Sequence, residues 1–237
     1  MATSDLQPNV TDPTDETLLT YVDVAIAGAD ASIVSDISWV QLVLAESILT
    51  PGLQTALKVQ NNSNFLGGKN FDSIKGLPLN LSIRRPSLAK YGFPTTLDIS
   101  QTLYRLGGRS ATAYNQEDER KLINQSIEEM TLHACDPTLL NDAANLVSKS
   151  WKCTTPSAIA AEVLAGCAGA RKLDIESCEP ARDFVAENKH PFQVVQQQAN
   201  AALANGNDPS FLHFMTFEGA SSGQGTHHFK SLYSMTR

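Results

Sequence analysis

The stretch WVQLVLAESILTPGLQTALKVQ, residues 39–60, decides the fold of the first half of the chain. In its first part, the side chains at positions 40, 42 and 44 are expected to face opposite to those at 41, 43 and 45, which is the period of two that is typical of a β-strand. Thr50, Pro51 and Gly52 are residue types that form turns, and residues 53–60 resume the strand composition. The stretch therefore predicts two strands joined by a turn.

Further strands are predicted on both sides of this stretch, over residues 18–26, 77–85, 95–106 and 128–135, with no helical pattern between them. Residues 107–119 contain two glycines, an asparagine and a charge cluster, which predicts an exposed loop. Residues 1–17 carry two prolines and many small polar side chains, which predicts a flexible arm. Residues 18–135 are therefore predicted to form a small antiparallel β-barrel or sandwich.

The pattern becomes helical after Cys135. Three prolines, at 137, 156 and 191, each follow a residue suited to a helix start, and apolar stripes at helical spacing follow them as far as Val147, Cys167 and Leu203. Asn205 and Gly206 are expected to end the third helix. Residues 172–177 predict a short strand, and residues 211–218 and 226–233 predict a β-hairpin. The chain is therefore expected to be α+β, with an α/β domain over residues 136–237 behind the barrel.

The composition of the 237-residue chain excludes several classes of protein. Its hydrophobic content of 42% is too high for wholesale disorder. No apolar run reaches the roughly 18 residues that cross a bilayer, and residues 1–19 lack the pattern of a secretory signal. The four cysteines are too few and too widely spaced for a disulfide scaffold. We therefore expect a soluble protein with reduced thiols, made inside a cell.

Charge is unevenly distributed along the chain. Residues 1–57 contain eight acidic residues and no basic one, whereas residues 58–109 contain eight basic residues against two acidic ones. Two copies of such a chain can attract each other, acidic surface against basic surface, although solvated loops and strand faces explain the same pattern. A nucleic-acid partner is not expected, because the chain is acidic overall and the basic stretch has few aromatic residues. The candidate subunit-interface residues are Asp23, Asp30, Asp36, Glu46, Arg84, Arg85, Lys90, Arg105 and Arg109.

One motif of catalytic type is present. The sequence GASSG, residues 219–223, matches the G-x-S-x-G pattern of a hydrolase nucleophile elbow. That elbow lies between a strand and a helix, whereas here the motif lies between two predicted strands, which favours a hairpin turn. A serine hydrolase that uses Ser221 stays an alternative function, as does a generic oligomeric binding module.

Metal and phosphate motifs are weaker still. His133 with Cys135, and His227 with His228, are the clustered soft ligands, and no C-x-x-C pair accompanies them. Residues 117–121, EDERK, are typical of a solvated loop, and no phosphate loop or dinucleotide fingerprint occurs. The sequence therefore predicts no catalytic residue, no metal site and no cofactor.

Several segments resemble a known family when they are taken in order. ESILTPG at 46–52 is similar to an early barrel turn of that family, and LVSKSW at 146–151 with IAAEVL at 159–164 is similar to a VSKSY segment of the family and the helix that follows it. PFQVV at 191–195, FMTFE at 214–218 and HFKSL at 228–232 follow in the family's order and at plausible spacing. The chain thus resembles the N-terminal part of the baseplate hub proteins of contractile-tailed, T4-like bacteriophages.

This resemblance implies a structural protein of the virion, in the tail baseplate, made in the host cytoplasm. Hubs of this family join the tail tube to the central spike and continue the tube channel, with tube-like barrels arranged in a ring. The implied partners are further copies in a trimeric or hexameric ring, the tail tube or tube-initiator protein, the spike protein and the tape measure protein, without a membrane or specific nucleic acid. The sequence ends where the family's second barrel is expected, so the resemblance implies that six copies assemble, that another chain supplies the missing barrels, or that the stoichiometry is altered.

Overall fold

The computed structural model describes residues 21–26, 38–61, 75–84, 96–114, 125–169, 171–204, 208–217 and 225–236, and the statements below refer to these ranges. The contacts within them divide the chain into two units. The first contains residues 21–26, 38–45, 54–61, 75–84, 96–114 and 125–135. The second contains residues 46–53 and the described residues from 136 onward. The turn that follows residue 45 therefore belongs to a different unit from the two strands that it joins.

The first unit is one antiparallel sheet of six strands, curled into a half-barrel. Its strands are β1 (Tyr21–Ile26), β2 (Ser38–Ala45), β3 (Gln54–Asn61), β4 (Pro78–Arg84), β5 (Thr96–Tyr114) and β6 (Gln125–Cys135). Their order in the sheet is β1-β4-β5-β6-β3-β2, so β1 and β2 are its two edges in the described part of the chain. The six predicted strands are confirmed in the described residues.

One face of this sheet is the hydrophobic core of the first unit. On β3, Leu57 and Val59 are fully buried, while Lys58 between them lies on the outer face. Leu132 lies beside Leu57 in the register, and Met130 lies beside Val59, so buried apolar residues form continuous rows across the strands. Burial decreases toward the edges: the core-face residues 42 and 44 on β2 and 22 and 24 on β1 are partly exposed, although Ile26 at the end of β1 is buried. The curled sheet therefore buries its centre and leaves both borders incompletely covered.

The prediction of a loop at residues 107–119 is wrong for residues 107–114, because β5 continues to Tyr114. The register with β6 shifts between Gly107 and Ser110, which marks a β-bulge. A Cβ atom at Gly107 would lie 2.7 Å from Nε2 of His133, and Gly108 has a φ of +51°. Gly107 therefore allows the close approach of His133, and Gly108 adopts the backbone conformation of the bulge within the strand. Residues 115–119 of the predicted loop lie outside the described residues.

The second unit alternates short helices and strands. Its elements are α1 (Pro137–Ala144), β7 (Val147–Thr154), α2 (Pro156–Ala168), β8 (Leu173–Ile175), β9 (Arg182–Lys189), α3 (Pro191–Ala199), β10 (Phe211–Thr216), β11 (Thr226–Ser231) and α4 (Leu232–Met235). β10 and β11 form the predicted antiparallel hairpin, and β8 pairs with β11 in parallel. β7 and β9 form a separate antiparallel pair. No helix in these ranges has both the length and the apolar character that a membrane span requires.

The three predicted helix starts are confirmed by their capping contacts. The carboxylate of Asp136 accepts the N–H of Thr138 at 2.8 Å, and the hydroxyl of Thr155 accepts the N–H of Ala158 at 3.4 Å. The amide oxygen of Gln193 accepts the N–H of His190 at 3.3 Å. Each contact satisfies a donor at a helix start, and proline at the first helical position needs no donor partner.

Two predicted helix ends are wrong. The first helix ends at Ala144, and Val147 begins β7, which is paired to β9. The third helix ends at Ala199, and the N–H of Leu203 binds the carbonyl of Glu179 at 2.7 Å. In both cases these residues form backbone hydrogen bonds with a segment distant in sequence and leave the helix, although their apolar spacing also suits a helix. The expected stop at residues 205 and 206 lies outside the described residues.

The β7–β9 pair brings an aromatic contact to the core of the second unit. Trp151 on β7 stacks on Phe184 of β9 with ring centroids 5.8 Å apart. Behind this pair, Ile159 and Leu164 of α2 are fully buried, as is Phe229 of the hairpin. The helices therefore pack their apolar faces against strands on both sides.

Gly52 attaches the turn at residues 46–53 to this unit. Its φ of +155° is a backbone conformation that residues with a side chain rarely adopt, and a Cβ atom there would lie 2.6 Å from Cδ2 of Leu139 on α1. The neighbouring carbonyl of Leu53 accepts the N–H of Asp136 at 2.9 Å. A glycine is therefore required where the turn passes over α1.

Candidate assembly interface

The edge strand β2 carries apolar side chains on both of its faces. On the outer face, Val43 is 46% exposed, and Val40 at a bulge in the register is 45% exposed. On the core face, Leu42 and Leu44 are partly exposed because no strand lies beyond them in the described part of the chain. These four apolar side chains of β2 are therefore exposed enough to contact a strand of another chain.

The sequence of β2, SWVQLVLA, contains no charged residue and no proline. Edge strands of monomeric proteins are usually protected by lysine, proline, inward-pointing charges or bulges, because their free N–H and C=O groups can pair with another chain. The bulge between Trp39 and Gln41 is the one such feature within β2. An uncharged apolar edge is what a strand that pairs with a neighbouring chain requires.

Of the predicted interface charges, the structure brings together Asp23 and Arg84. They lie on the paired strands β1 and β4, with the carboxylate 3.3 Å from the guanidinium, and both side chains are more than half exposed. An exposed pair of this kind contributes about 0–1 kcal/mol. The acidic and basic stretches of the sequence thus meet within one sheet at this point, which leaves less charge there for a neighbouring chain.

The other predicted charges lie apart from this pair. The carboxylate of Glu46 accepts the N–H of Phe217 at 2.9 Å within the second unit. The guanidinium of Arg105 lies 3.4 Å from Nε2 of His133, and partial burial together with this positive charge lowers the pKa of His133. Arg109 lies in β5, but its side chain is outside the described part, as are residues 30, 36, 85 and 90 entirely. The candidate interface residues were chosen for their charge, and the sequence did not indicate which strands lie at the edges of the sheet. The absence of charged residues in β2 is the sequence feature that could have indicated it.

The soft-ligand motifs are separated by the fold. His227 and His228 lie on opposite faces of β11, where His227 contacts His213 and His228 contacts Asp174. Cys135 is buried at the end of β6, whereas His133 contacts Arg105. In the described ranges, no three side chains of histidine, cysteine, aspartate or glutamate are grouped as metal ligands would be.

One cluster has the hydrogen-bonding order of a catalytic nucleophile, base and acid. Nδ1 of His228 lies 3.1 Å from the carboxylate of Asp174, and Nε2 of the same ring lies 2.8 Å from the hydroxyl of Thr216. The ammonium of Lys230 lies 2.6 Å from the carboxylate oxygen that His228 contacts, and Lys230 is the largest cause of the lowered pKa of Asp174, ahead of His228. Because this carboxylate belongs to an ion pair, we interpret the cluster as a link between β8, β10 and β11. Ser221 of the hydrolase alternative lies outside the described residues.

Comparisons with known proteins give matches at the level of structure. No family model matches the sequence, and no curated protein matches it. The 43 kDa tail protein of prophage MuSo2 from Shewanella oneidensis is similar with a TM-score of 0.51 at 10% identity, over 88% of this chain and 53% of that one. The fold of the chain is therefore similar to that of a solved phage tail protein.

A second solved structure agrees with the first. An E. coli component of the type VI secretion system, described as structurally similar to the T4 bacteriophage tail proteins gp27 and gp5, gives a TM-score of 0.53 at 11% identity, over 87% of this chain and 48% of that one. The chain spans about half the length of both proteins. At these identities the likeness is one of fold, and it confirms the tail-type α+β architecture that the sequence resemblance implied.

Proposed function

We propose that this chain is a structural protein of a contractile phage tail, a baseplate hub that joins the tail tube to the central spike and continues the tube channel without catalysis. The observation that carries the proposal is the uncharged apolar edge strand β2 on a sheet of tail-protein fold. The first unit would be the tube-like part, and the domain division proposed from the sequence, at residues 135 and 136, is retained.

The two edge strands of the sheet, β1 and β2, suggest how copies of the chain would assemble. Pairing β1 of one copy with β2 of the next would extend the sheet from chain to chain, and each added strand would cover the partly exposed core-face residues at both borders. Such a contact uses two different surfaces of the molecule, and it closes into a ring when the rotation between copies divides a full turn. Ring closure leaves no strand edge open to aggregation.

The number of copies and the partners follow the family resemblance. We propose a trimeric or hexameric ring, with the tail tube or tube-initiator protein on one side, the spike protein on the other, and the tape measure protein as a further partner. The chain spans about half the length of the tail protein of prophage MuSo2. A hexameric ring would bring together six sheets of the kind that the described residues of the first unit form.

The proposal predicts that assembly weakens modestly as salt increases. Part of the attraction is assigned to the acidic and basic stretches, and salt screens exposed charges. Light scattering on the purified chain at about 0.05 M and about 0.5 M NaCl would measure the dissociation constant of the assembly, which should rise with salt. The variant Lys90→Gln is expected to reduce the salt dependence, and Lys152→Gln in the second unit is the matched control.

The result can separate the two parts of the proposal. A dissociation constant that is unchanged or lower at high salt would contradict the charge contribution and leave the strand edges as the sole contact. A monomer at both salt concentrations, even with tail tube and spike proteins added, would contradict the proposed function.

A further inference from the structure

Two histidines lie against each other in the interior of the second unit. His213 on β10 is 1% exposed, and His227 on β11 is fully buried. Nε2 of His213 lies 3.3 Å from Nδ1 of His227, and the rings stack with centroids 5.5 Å apart and an angle of 20° between their planes. The two histidines lie on the neighbouring strands β10 and β11, two positions apart in the register, so the pair links the two strands of the C-terminal hairpin.

The outer nitrogens of the pair have no hydrogen-bond partner. Nδ1 of His213 and Nε2 of His227 are both buried and unpaired. When both rings are neutral, one ring donates to the other, which satisfies the facing nitrogens. A proton added to either ring would create a buried cation, with N–H groups on both of its nitrogens and an acceptor for at most one of them. Buried charges of this kind are strongly unfavourable.

Among the described residues, the surroundings of the pair offer no free counter-charge. The ring of Phe192 on α3 packs edge-on against both imidazoles, at centroid distances of 5.1 and 5.7 Å, and α3 contains no ionisable side chain. The acidic group that acts on His227 is Asp136 at the start of α1, which is already paired with Arg171 at 2.9 Å. On the other face of the hairpin, His228 adds positive charge when protonated, and Asp174 beside it is paired with Lys230.

We infer that His213 and His227 form a proton-operated latch, which holds the hairpin closed while both rings are neutral and releases it when either ring takes up a proton. This goes beyond the proposed function and does not depend on it. Release would expose β10 and β11 and the face of α3 that packs on them. The six-stranded sheet of the first unit has its own core and would keep its structure at the pH that opens the hairpin.

The direction of the pH dependence follows from burial. Burial lowers the pKa of His227 from 6.5 to about 4, and burial likewise lowers the pKa of His213 well below 6.5. The folded state therefore binds fewer protons than the unfolded state in this range. Stability is complete above about pH 6.5 and is lost progressively as the pH falls toward 4.

Hydrogen exchange tests the latch in the full chain. Exchange would be followed at about pH 7.5 and at about pH 4.5, with the rate of each peptide divided by the intrinsic exchange rate of its sequence at that pH, and peptides would be analysed by mass spectrometry. Peptides from β10 and β11 should show a hairpin opening constant that is roughly 10²-fold larger at the lower pH from His227 alone, since one tenfold factor accompanies each pH unit in this interval. Peptides from β3 and β6 should keep their protection.

Variants identify the groups responsible. The double variant His213→Leu and His227→Leu replaces both partners by apolar side chains of similar volume, so that neither nitrogen is left unpaired. It should lose most of the pH-dependent opening of the hairpin. The control His133→Gln removes a histidine of the first unit and should leave hairpin opening as in the wild type. Unchanged acid opening in the double variant would overturn the latch.

A direct titration keeps the test decisive if the double variant does not fold. The imidazole C–H signals of His213 and His227 in the wild-type protein should stay constant from about pH 8 to about pH 5.5, because neither folded ring takes up a proton there. Titration of either ring with a midpoint near 6.5 in the folded protein would overturn the inference.

Discussion

Replacing Asp136 by alanine is expected to lower the free energy of unfolding of the second unit by about 3–5 kcal/mol. The carboxylate of Asp136 is buried and lies 2.9 Å from the guanidinium of Arg171, whose side chain is largely buried as well. Its other oxygen accepts both the N–H and the hydroxyl of Thr138, at 2.8 and 2.7 Å. The substitution therefore removes the cap of α1 and leaves a cation in the protein interior without its anion.

Urea unfolding followed by circular dichroism measures this change in the free energy of unfolding. Three further variants separate the contribution of the helix cap from that of the ion pair. Asp136→Asn keeps an acceptor for Thr138 but removes the charge, whereas Arg171→Met removes the cation. If the ion pair is responsible, the double variant Asp136→Asn with Arg171→Met should be clearly more stable than the sum of the single losses predicts. A loss below about 1 kcal/mol for Asp136→Ala would contradict the assignment, because that is the range of surface substitutions.

The variant Leu42→Lys is expected to abolish the proposed ring assembly at concentrations at which the wild type is expected to assemble. Leu42 lies on the core face of the edge strand β2 and is only partly exposed. In the free chain, a lysine there can extend past the open border to water. In the ring, the strand of the next copy would cover that border, and the charge would be buried without a partner. Such burial costs on the order of 2–5 kcal/mol, which is a rise of about 30-fold or more in the dissociation constant.

The neighbouring position supplies a matched control. Val43→Lys puts the same charge on the outer face of the same strand, where the side chain is 46% exposed and can stay in water. Light scattering should show a large loss of assembly for Leu42→Lys and a small one for Val43→Lys, with folding of both checked by circular dichroism. The opposite order would indicate that copies meet through the outer face of the sheet, and equal assembly of both variants with the wild type would exclude β2 as a contact.

The parts of the fold that short-range rules determine could be predicted from the sequence. The residues before Pro137, Pro156 and Pro191 start helices because capping depends on neighbours a few positions away. The strands of the first unit were predicted because Val, Leu, Ile and Thr are concentrated in short segments between turn residues, and because residues 40–45 show the period of two that one buried face imposes.

The parts that were missed depend on contacts between distant segments. β7 and β9 carry mixed polar and apolar residues, and they become strands because residues 147–154 pair with residues 182–189, which are distant in sequence. Gly107 and Gly108 indicated a loop because the close contact with His133 on β6 cannot be read locally.

The candidate interface shows the same limit. The sequence drew attention to charge, and the fold pairs Asp23 with Arg84 inside one chain. It could not show that β2, a strand without charge, lies at the border of the sheet, since strand order is a property of the whole fold. The uncharged sequence of β2 indicates a candidate contact surface only once the strand is known to lie at the edge of the sheet.

Electron microscopy of the purified chain, negatively stained at increasing concentration, tests the central claim most directly. If copies join edge to edge through β1 and β2, the micrographs should show closed rings with a central opening and threefold or sixfold symmetry, alone or with tube and spike proteins added. Single particles of one chain's size at every concentration, unchanged by those partners, would contradict the account.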